Sequence, residues 1–254
     1  MTRLVRTILL LLFVAVSSIT PVKAEAAGRV LTVAVASNAL RPVQELAGLF
    51  EERYGVKVRI SSGSTGKLYT QITQGAPFHV FFAADKRRPE LLEEKGLIER
   101  GSRFTYAVGA LIVWTKRPGL DLGSRGLTFL KDARIRRIAV ANPSTAPYGR
   151  AAVEALERKG ILKDVQNKFV YGENVSQAFN FARTGNADVC IVALSTIYGQ
   201  DGSYFPVDGA IHSPIVQQAV ILRGAPPEAR EFTRFLSSPD AVTVFSKYGY
   251  SVAR

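Results

Sequence analysis

One octapeptide, SSGSTGKL at residues 61–68, places the strongest constraint on how this chain can fold. Alternating residues before it predict a strand, and apolar residues at helical spacing after it predict a helix. Small hydroxyl residues and glycine join the two, so the first NH groups of the helix are free to attract an anion. Similar helix starts are expected at three other places, which are Ser37 with Asn38, Pro147 with Tyr148, and Asn174 with Val175. We therefore expect the fold to bring four helix starts onto one small oxyanion.

The rest of the chain alternates predicted strands and helices in two series. Strands are expected at 31–35, 56–60, 77–82, 136–140, 169–171 and 188–194. Repeated strand–helix–strand units form parallel sheets with helices on both faces, and ligands bind at the carboxyl ends of such strands. Two further apolar strands, at 107–116 and 216–222, would connect the series, and one closing helix would return to the first. The pattern predicts an α/β protein of two lobes, each a mainly parallel sheet flanked by helices, with a cleft between them.

The N-terminal residues 1–24 have the composition of an export signal. An uninterrupted apolar run at 8–16 follows a basic start, and small residues stand where a signal peptidase cleaves. Cleavage is expected after Ala24 or Ala26, and the run is too short to span a bilayer. Without a cysteine beside the cleavage site, no lipid anchor is indicated. We expect a freely soluble protein of the periplasm.

The formal net charge of +12 raises the question of a nucleic-acid partner. The basic residues are scattered over predicted helices and turns, and their densest cluster, at 134–137, runs directly into a predicted strand. No stacking or recognition motif accompanies them. We therefore expect no nucleic-acid binding, and we interpret the charge as a solvated surface that mildly favours anions.

Few residues in the sequence could support catalysis or bind a metal directly. The tetrapeptide STGK at 64–67 is no phosphate loop, because that motif needs glycine at Ser61 and a hydroxyl residue at Leu68. Of the two histidines, His79 is expected to pack inside a strand and His212 to lie on the surface. Neither a Gly-x-Ser-x-Gly elbow nor a metal-ligand spacing is present. The sequence therefore predicts a binding protein without a cofactor and not an enzyme.

Helix capping is the simplest alternative interpretation of each hydroxyl site. Ser, Thr and Asn are favoured at helix N-caps in any protein, so one such site carries little information. Four of them at the carboxyl ends of predicted strands, in an exported two-lobe chain without a catalytic group, favour a binding site instead.

A set of short motifs extends over residues 30–254. They are VASN at 35–38, GSTGKL at 63–68, GAPFHVFFAAD at 75–85, NP at 142–143, APYG at 146–149, ENV at 173–175 and FSKYGY at 245–250. Each motif alone is weakly specific, and together they are quite specific. Through them the chain resembles the periplasmic molybdate-binding proteins, the oxyanion receptors of molybdate ABC transporters.

The resemblance implies a clamshell of the periplasmic-binding-protein type, class II, whose lobes are joined by two crossing strands. The first lobe would comprise residues 25–106 and 218–254, and the second lobe residues 107–217. The ligand would be molybdate or tungstate, captured between the lobes as the oxyanion and with no metal ligated directly. The expected partner is the permease of an inner-membrane ABC transporter, to which a monomer would deliver the anion.

The resemblance also implies five oxyanion-binding residues. Ser37 would donate its hydroxyl and its NH, Asn38 its NH, and Thr65 its hydroxyl. Tyr148 and Val175 would donate backbone NH groups, so their side chains are expected to matter less.

Two positions depart from the family pattern. Ala193 stands where some relatives place a tyrosine hydroxyl on the ligand, and Asn38 is one possible replacement for that contact. His79 replaces an aspartate that is common in the family and to which no ligand role is assigned.

The chemistry of molybdate is consistent with a site that contains only hydrogen-bond donors. Two alternative functions stay open. Molybdate and tungstate are fully deprotonated near neutral pH, so neutral donors at helix starts suffice. A receptor for sulfate or another oxyanion would share this donor geometry, and cavity size would decide between them. An exported enzyme acting on a phosphorylated or sulfated small molecule would need a catalytic base in the cleft.

Overall fold

The computed structural model describes residues 30–120, 122 and 125–251, so the predicted export signal at 1–24 lies outside the described residues. The described chain forms two five-stranded sheets with helices packed on them. This confirms the predicted two-lobe α/β fold, and each sheet with its helices is one lobe. Among the described helices, none is both long enough and apolar enough to cross a bilayer.

The first lobe contains the strands β1 (Val30–Ala36), β2 (Lys57–Gly63), β3 (Val80–Ala83), β4 (Phe104–Gly109) and β10 (Ile215–Ile221). Their order in the sheet is β2-β1-β3-β10-β4. Strand β1 is parallel to β2 and β3, whereas β10 is antiparallel to both of its neighbours. The helices of this lobe are α1 (Leu40–Tyr54), α2 (Thr65–Thr73), α3 (Arg87–Glu94), α7 (Glu228–Phe235) and α8 (Pro239–Lys247).

The second lobe repeats this plan. Its strands are β5 (Leu111–Thr115), β6 (Ile138–Ala141), β7 (Phe169–Gly172), β8 (Val189–Ala193) and β9 (Ser203–Pro206), in the order β7-β6-β8-β5-β9. Strand β6 is parallel to β7 and β8, and β5 is antiparallel to β8 and β9. Its helices are α4 (Pro147–Arg158), α5 (Leu162–Val165) and α6 (Val175–Arg183). The buried apolar residues of each lobe cluster on both faces of its sheet, as expected where helices cover a parallel sheet.

The hydroxyl segment is more extended than the sequence pattern predicts. Strand β2 was expected at 56–60, but it continues to Gly63 because pairing with β1 persists through Ser61 and Ser62. Only Ser64 remains between the strand and α2. The connection is therefore a single residue long, and it places the start of α2 directly at the carboxyl end of β2.

The apolar run predicted as one strand at 107–116 is divided between the two sheets. Strand β4 ends at Gly109 and β5 begins at Leu111. The chain returns to the first lobe in β10, whose register with β4 shifts between Gln217 and Gln218. Hydrophobic periodicity shows that a segment is buried but not which sheet each half joins, so the sequence could not show this division.

The closing helix predicted through Phe235 is two helices. Helix α7 ends at Phe235, and α8 begins at Pro239 after Ser238, whose Oγ accepts a hydrogen bond from the Ala241 NH at 3.4 Å. Proline at the first helical position loses no hydrogen bond, which favours a new helix start here. Helix α7 packs on β10 and α8 on α1, so the chain end returns to the first lobe as predicted.

The two histidines lie in different surroundings. His79 directly precedes β3; its NH donates to the Thr32 carbonyl at 2.8 Å, and its Nδ1 accepts from the Thr32 NH at 3.0 Å. This confirms a packing role, although outside the strand itself. The expectation of an exposed His212 is wrong, since only 6% of it is exposed. The turn Gly209–Ile211 before it packs against α4.

Candidate functional site

One small cavity between the lobes collects the residues that the sequence singled out. Its lining includes Ser37, Asn38, Thr65, Tyr148 and Val175. The first three come from the first lobe, and the other two from the second. No charged side chain is among the described residues that line it. The cavity therefore offers hydroxyl and NH donors with no carboxylate.

Each of these residues lies at or next to the start of a helix. Ser37 opens the 3-10 turn Ser37–Ala39 after β1, and Thr65 is the first residue of α2 after β2. Tyr148 is the second residue of α4, and Val175 is the first of α6. The first NH groups of a helix have no partner within it and carry partial positive charge. Four such starts therefore direct donors and dipoles at the same small volume.

Side-chain capping accounts for only one of the four starts. The Oδ1 of Asn174 accepts from the Gln177 NH at 3.1 Å and caps α6. At the other three starts the capping positions are Ala36, Ser64 and Ala146, and none makes a side-chain cap hydrogen bond. Plain capping as the purpose of all four sites is therefore wrong, because three of the four starts have no side-chain cap.

The hydroxyl of Thr65 is fixed by a hydrogen bond that it accepts, so its own hydrogen remains available for a ligand. Its Oγ1 accepts from the Ala84 NH at 3.1 Å, and the residue is 1% exposed. A hydroxyl donates one hydrogen and accepts through two lone pairs, so this bond leaves the donor function unused. The neighbouring Ser64 Oγ is also buried and has no hydrogen-bond partner among the described residues. Sequence reasoning gave Ser64 no ligand role.

Asn38 cannot offer its side-chain amide to an anion in this arrangement. Its Nδ2 donates to Gln217 Oε1 at 2.7 Å and to the Tyr250 hydroxyl at 2.8 Å. Both amide hydrogens are thereby used, which leaves only the backbone NH of Asn38 for a ligand. The side-chain amide therefore does not replace the hydroxyl that is missing at Ala193.

The side chain of Tyr148 has a buried role of its own. Its hydroxyl accepts from Gln217 Nε2 at 3.0 Å, and the residue is 1% exposed. Burial raises the pKa of Tyr148 well above its usual value, so the phenol stays neutral at physiological pH. Removing the hydroxyl would leave the buried Gln217 amide donor unpaired. That this side chain matters less for the anion stays a prediction.

The lobes touch beside the cavity through a backbone contact. The Gly66 NH donates to the Thr145 carbonyl across the cleft at 2.8 Å. A Cβ on Gly66 would lie only 3.0 Å from both the Thr145 Cα and its carbonyl oxygen, so this approach depends on glycine. The structure therefore shows the cleft in a closed arrangement.

Two ion pairs also span the cleft. Lys67 Nζ lies 2.9 Å from Glu173 Oε2, and Arg150 Nη2 lies 3.3 Å from Asp85 Oδ2. The first pair is about half exposed and contributes little to stability in water. Sequence reasoning found none of these partners, because each pair joins residues that are distant along the chain.

A further set of buried polar residues lies behind the cavity and was missed from the sequence. It consists of Tyr106, Ser195, Gln217 and Tyr250. The one signal that could have indicated it is the polar pair QQ inside the apolar strand IVQQAVI. Separately, no cluster of three or more His, Cys, Asp or Glu residues in the described ranges could hold a metal ion.

Comparisons with known proteins agree with this architecture. The family described as bacterial extracellular solute-binding protein matches residues 31–251. The molybdate-binding protein ModA of Rhodobacter capsulatus is 41% identical over 228 residues, covering 89% of each chain. Its namesake from Azotobacter vinelandii is 43% identical over 226 residues, covering 87% of this chain and 89% of its own. The solved structure of the Azotobacter vinelandii periplasmic molybdate-binding protein superposes with a TM-score of 0.84 at 38% identity, over 88% of this chain and 100% of that one.

Proposed function

The chain belongs to the bacterial extracellular solute-binding proteins, and we propose that it is a receptor for molybdate or tungstate. The observation that carries this proposal is the cavity between the lobes, where four helix starts meet and the described lining holds no charged side chain. Such a site suits a tetrahedral dianion that keeps no proton. A phosphate ion would gain from an acceptor for its remaining proton, and the lining offers no carboxylate for that purpose.

Five residues would hold the anion. Ser37 and Thr65 would donate their hydroxyls from the first lobe, with the Ser37 and Asn38 NH groups beside them. The backbone NH groups of Tyr148 and Val175 would approach from the second lobe. Support comes from their common cavity and from the missing side-chain caps at three of the four helix starts. Hydrogen bonds to a charged acceptor are roughly twice as strong as neutral ones, so few donors suffice.

Capture would proceed by closure of the two lobes. Residues 25–106 with 218–254 would move as one body and residues 107–217 as the other. The bend would then lie within β4 and β10, near 106–107 and 217–218, so one end of each of these first-sheet strands would move with the second lobe. Contacts across the closed cleft, such as the Gly66 bond to Thr145, would form as the anion enters. The closed protein would act as a monomer, because one chain supplies both halves of the cavity.

The bound anion would pass to the permease of an ABC transporter in the inner membrane. Support for this partner and for the periplasm comes from the relatives' names and from the predicted export signal. We assign no catalytic reaction to the protein, since the described lining carries no His, Asp or Glu to act as an acid or base.

Thermal melting of the mature protein with a panel of anions tests the function. A ligand at about 1,000 times its dissociation constant stabilises by roughly 4 kcal/mol, which for a chain of this size shifts Tm by about 8–16 °C. We expect this shift with micromolar molybdate or tungstate and almost none with millimolar sulfate or phosphate. Sulfate has shorter bonds than molybdate, and each buried donor left unmet costs about 1–3 kcal/mol.

The other outcomes of the panel are equally informative. An equal shift with sulfate would replace the proposal with a general oxyanion receptor. A shift with an organic phosphate but with no inorganic tetrahedral anion would point to an enzyme. The absence of any shift with molybdate and tungstate would refute the proposed function.

A further inference from the structure

Behind the cavity, one buried amide touches a cavity residue from each lobe. We propose that Gln217 is a positioning residue that fixes the width of the closed site and thereby its discrimination between anions of different radius. This inference rests on the proposed function, since it concerns the same cavity. Gln217 lies behind the residues that line the cavity and would act on the anion only through them.

The position of Gln217 in the fold makes such a role possible. It is fully buried in β10, one of the two strands through which the chain crosses between the lobes. It pairs with Ala107 of β4, the other crossing strand, and the register shifts immediately after it. A residue at this place moves little when the lobes rotate, so it can serve as a fixed reference for both.

The amide of Gln217 makes three hydrogen bonds. Its Oε1 accepts from Asn38 Nδ2 at 2.7 Å and from the Tyr106 hydroxyl at 2.8 Å. Its Nε2 donates to the Tyr148 hydroxyl at 3.0 Å. Asn38 belongs to the first lobe and Tyr148 to the second, and both line the cavity. One side chain therefore sets the distance between opposite walls of the site.

The network reaches the second lobe at another point through Asn38. The Asn38 carbonyl accepts from Ser195 Oγ at 2.8 Å and from the Tyr250 hydroxyl at 2.9 Å. Ser195 follows β8 in the second lobe, whereas Tyr250 lies near the end of the chain against the first. Asn38 is thus fixed by hydrogen bonds to its side-chain amide and to its backbone carbonyl. These bonds also fix the position of its backbone NH relative to the anion.

Only a side chain with a donor and an acceptor at this length fits the position. An apolar residue would leave the Asn38 amide and the Tyr148 hydroxyl without their partner. Glutamate would accept but not donate, and its charge would stand close to a dianion. Gly109 leaves room for the hydrogen bond between Tyr148 and Gln217. A Cβ at that position would lie 1.8 Å from the Tyr148 hydroxyl oxygen and 2.5 Å from Gln217 Nε2. Gly109 therefore permits the Tyr148–Gln217 bond.

The tyrosines of the network remain neutral partners. Burial is the first cause that raises the pKa of Tyr106 well above its usual value, and it raises the pKa of Tyr250 to about 12. Their hydroxyls therefore keep their hydrogens across the physiological range. The network stays intact at any pH at which the protein would meet its ligand.

The test is a substitution that keeps volume but removes the amide, Gln217→Met, measured by calorimetric titration with molybdate and with sulfate. We expect molybdate binding to weaken by about 10- to 100-fold, mainly through faster dissociation, because buried partners are left unmet. The ratio of molybdate to sulfate affinity should fall at the same time, since the width of the cavity is no longer fixed. Tyr148→Phe removes one of the three bonds and should give a smaller change in the same direction.

The matched control is Gln218→Met, the next residue of the same strand. Its Oε1 accepts from Arg103 Nη1 at 3.1 Å, and its Nε2 donates to Thr105 Oγ1 at 3.2 Å. Gln218 does not line the cavity. We expect it to lower the melting temperature without changing the affinity ratio. An unchanged ratio in Gln217→Met, or an equal fall in the control, would overturn the inference while wild-type binding of molybdate still upheld the proposed function.

A double-mutant cycle keeps the test decisive if Gln217→Met folds poorly. Tyr148→Phe alone then reports the effect of losing the bond between the lobes. Where all variants fold, the fold-loss of molybdate affinity in Gln217→Met/Tyr148→Phe should be smaller than the product of the fold-losses in the two single variants. The reason is that both substitutions remove the same hydrogen bond. Strictly multiplicative losses would show that the two residues act independently and would contradict the inference.

Discussion

The two lobes meet at the same cavity with different chemistry. The first lobe brings hydroxyl side chains to it, with Ser37 and Thr65 at the starts of their helical segments. The second lobe brings helix starts at which the side chains are occupied elsewhere or are apolar, namely Tyr148 and Val175. In the proposed site, the first lobe would recognise the anion largely through side chains and the second only through its backbone.

This difference predicts how each lobe tolerates substitution. A side-chain donor is lost when its residue changes, whereas a backbone donor survives any substitution that leaves the helix start in place. Direct contact with the anion should therefore depend on residue identity in the first lobe and on backbone position in the second, whereas the Tyr148 hydroxyl would affect binding only through Gln217. The contrast is tested first by one matched pair of variants, one in each lobe, and then by variants with smaller expected effects than the first of that pair.

The largest effect is expected from Thr65→Val, which keeps the volume of the side chain and removes its hydroxyl. Loss of a hydrogen bond to a charged group costs about 1.5–3 kcal/mol, which corresponds to molybdate binding weaker by roughly 10- to 150-fold. Isothermal titration calorimetry measures this directly. Ser62→Ala serves as a control, because Ser62 is an exposed hydroxyl near the end of β2, the strand that precedes Thr65.

Val175→Ala is the counterpart in the second lobe. The backbone NH remains, so we expect an affinity within about twofold of the parent. The lost methyl groups of a 3% exposed side chain should lower the free energy of unfolding by about 1–3 kcal/mol. If Thr65→Val binds as the parent does, or if Val175→Ala loses as much affinity as Thr65→Val, the contrast between the lobes is wrong.

An effect smaller than that of Thr65→Val is expected from Gly66→Ala, which acts where the lobes touch. The added Cβ would lie 3.0 Å from the Thr145 backbone only when the cleft is closed, and it should break the bond between the lobes. We expect molybdate to bind about 2- to 10-fold more weakly. The unliganded protein should be equally or more stable, because alanine is favoured over glycine inside a helix.

Small-angle scattering with and without molybdate shows whether Gly66→Ala impairs closure. Gly48→Ala in α1 is the matched control, since a Cβ there meets nothing within 4 Å. That control should gain stability and keep the affinity of the parent. Full closure of Gly66→Ala at unchanged affinity would rule out the proposed contact.

The smallest effect is expected from the protonation of His79, which should change the free energy of unfolding with pH but leave ligand binding unchanged. Desolvation lowers the pKa of His79, and the nearby charge of Glu228 opposes this only in part. Its Nδ1 accepts from the Thr32 NH at 3.0 Å, which requires the neutral ring. Below the unfolded pKa of about 6.5, the unfolded chain takes up a proton more readily than the folded one, so stability falls as pH falls.

Urea unfolding at pH 7.5 and pH 5 measures this contribution. In His79→Asn the side-chain oxygen can replace Nδ1 as acceptor and does not titrate, so the loss of stability on acidification should be smaller than in the parent. Molybdate affinity should be the same in both proteins, because His79 lies outside the cavity lining. Identical pH slopes for parent and variant would show that His79 does not couple folding to protonation.

Much of the fold was accessible from local pattern. The alternation of strands and helices predicts parallel sheets, and the carboxyl ends of parallel strands share one edge of a sheet. The hydroxyl and glycine residues that follow those strands therefore had to lie near one another within each lobe. That reasoning placed Ser37 and Thr65 at the carboxyl ends of their strands, and the family resemblance then implied their roles as ligands.

Local pattern failed where pairing between distant segments decides the outcome. The extension of β2 to Gly63 depends on continued pairing with β1, and the break between Gly109 and Leu111 depends on which sheet each half joins. Neither is encoded by periodicity, because an apolar residue looks the same in either sheet.

The sequence by itself determined the class of fold, the four helix starts and the neutral character of the donors, because each of these follows from residues close together in the chain. Tertiary structure alone decided how the two halves of the site are joined. Asn38 and Gln217 are 179 positions apart, and Gln217 and Tyr148 are 69 apart. Hydrogen bonds over such separations follow no local spacing rule. They exist because two crossing strands carry the chain between the sheets and place one amide where the walls of the cavity meet.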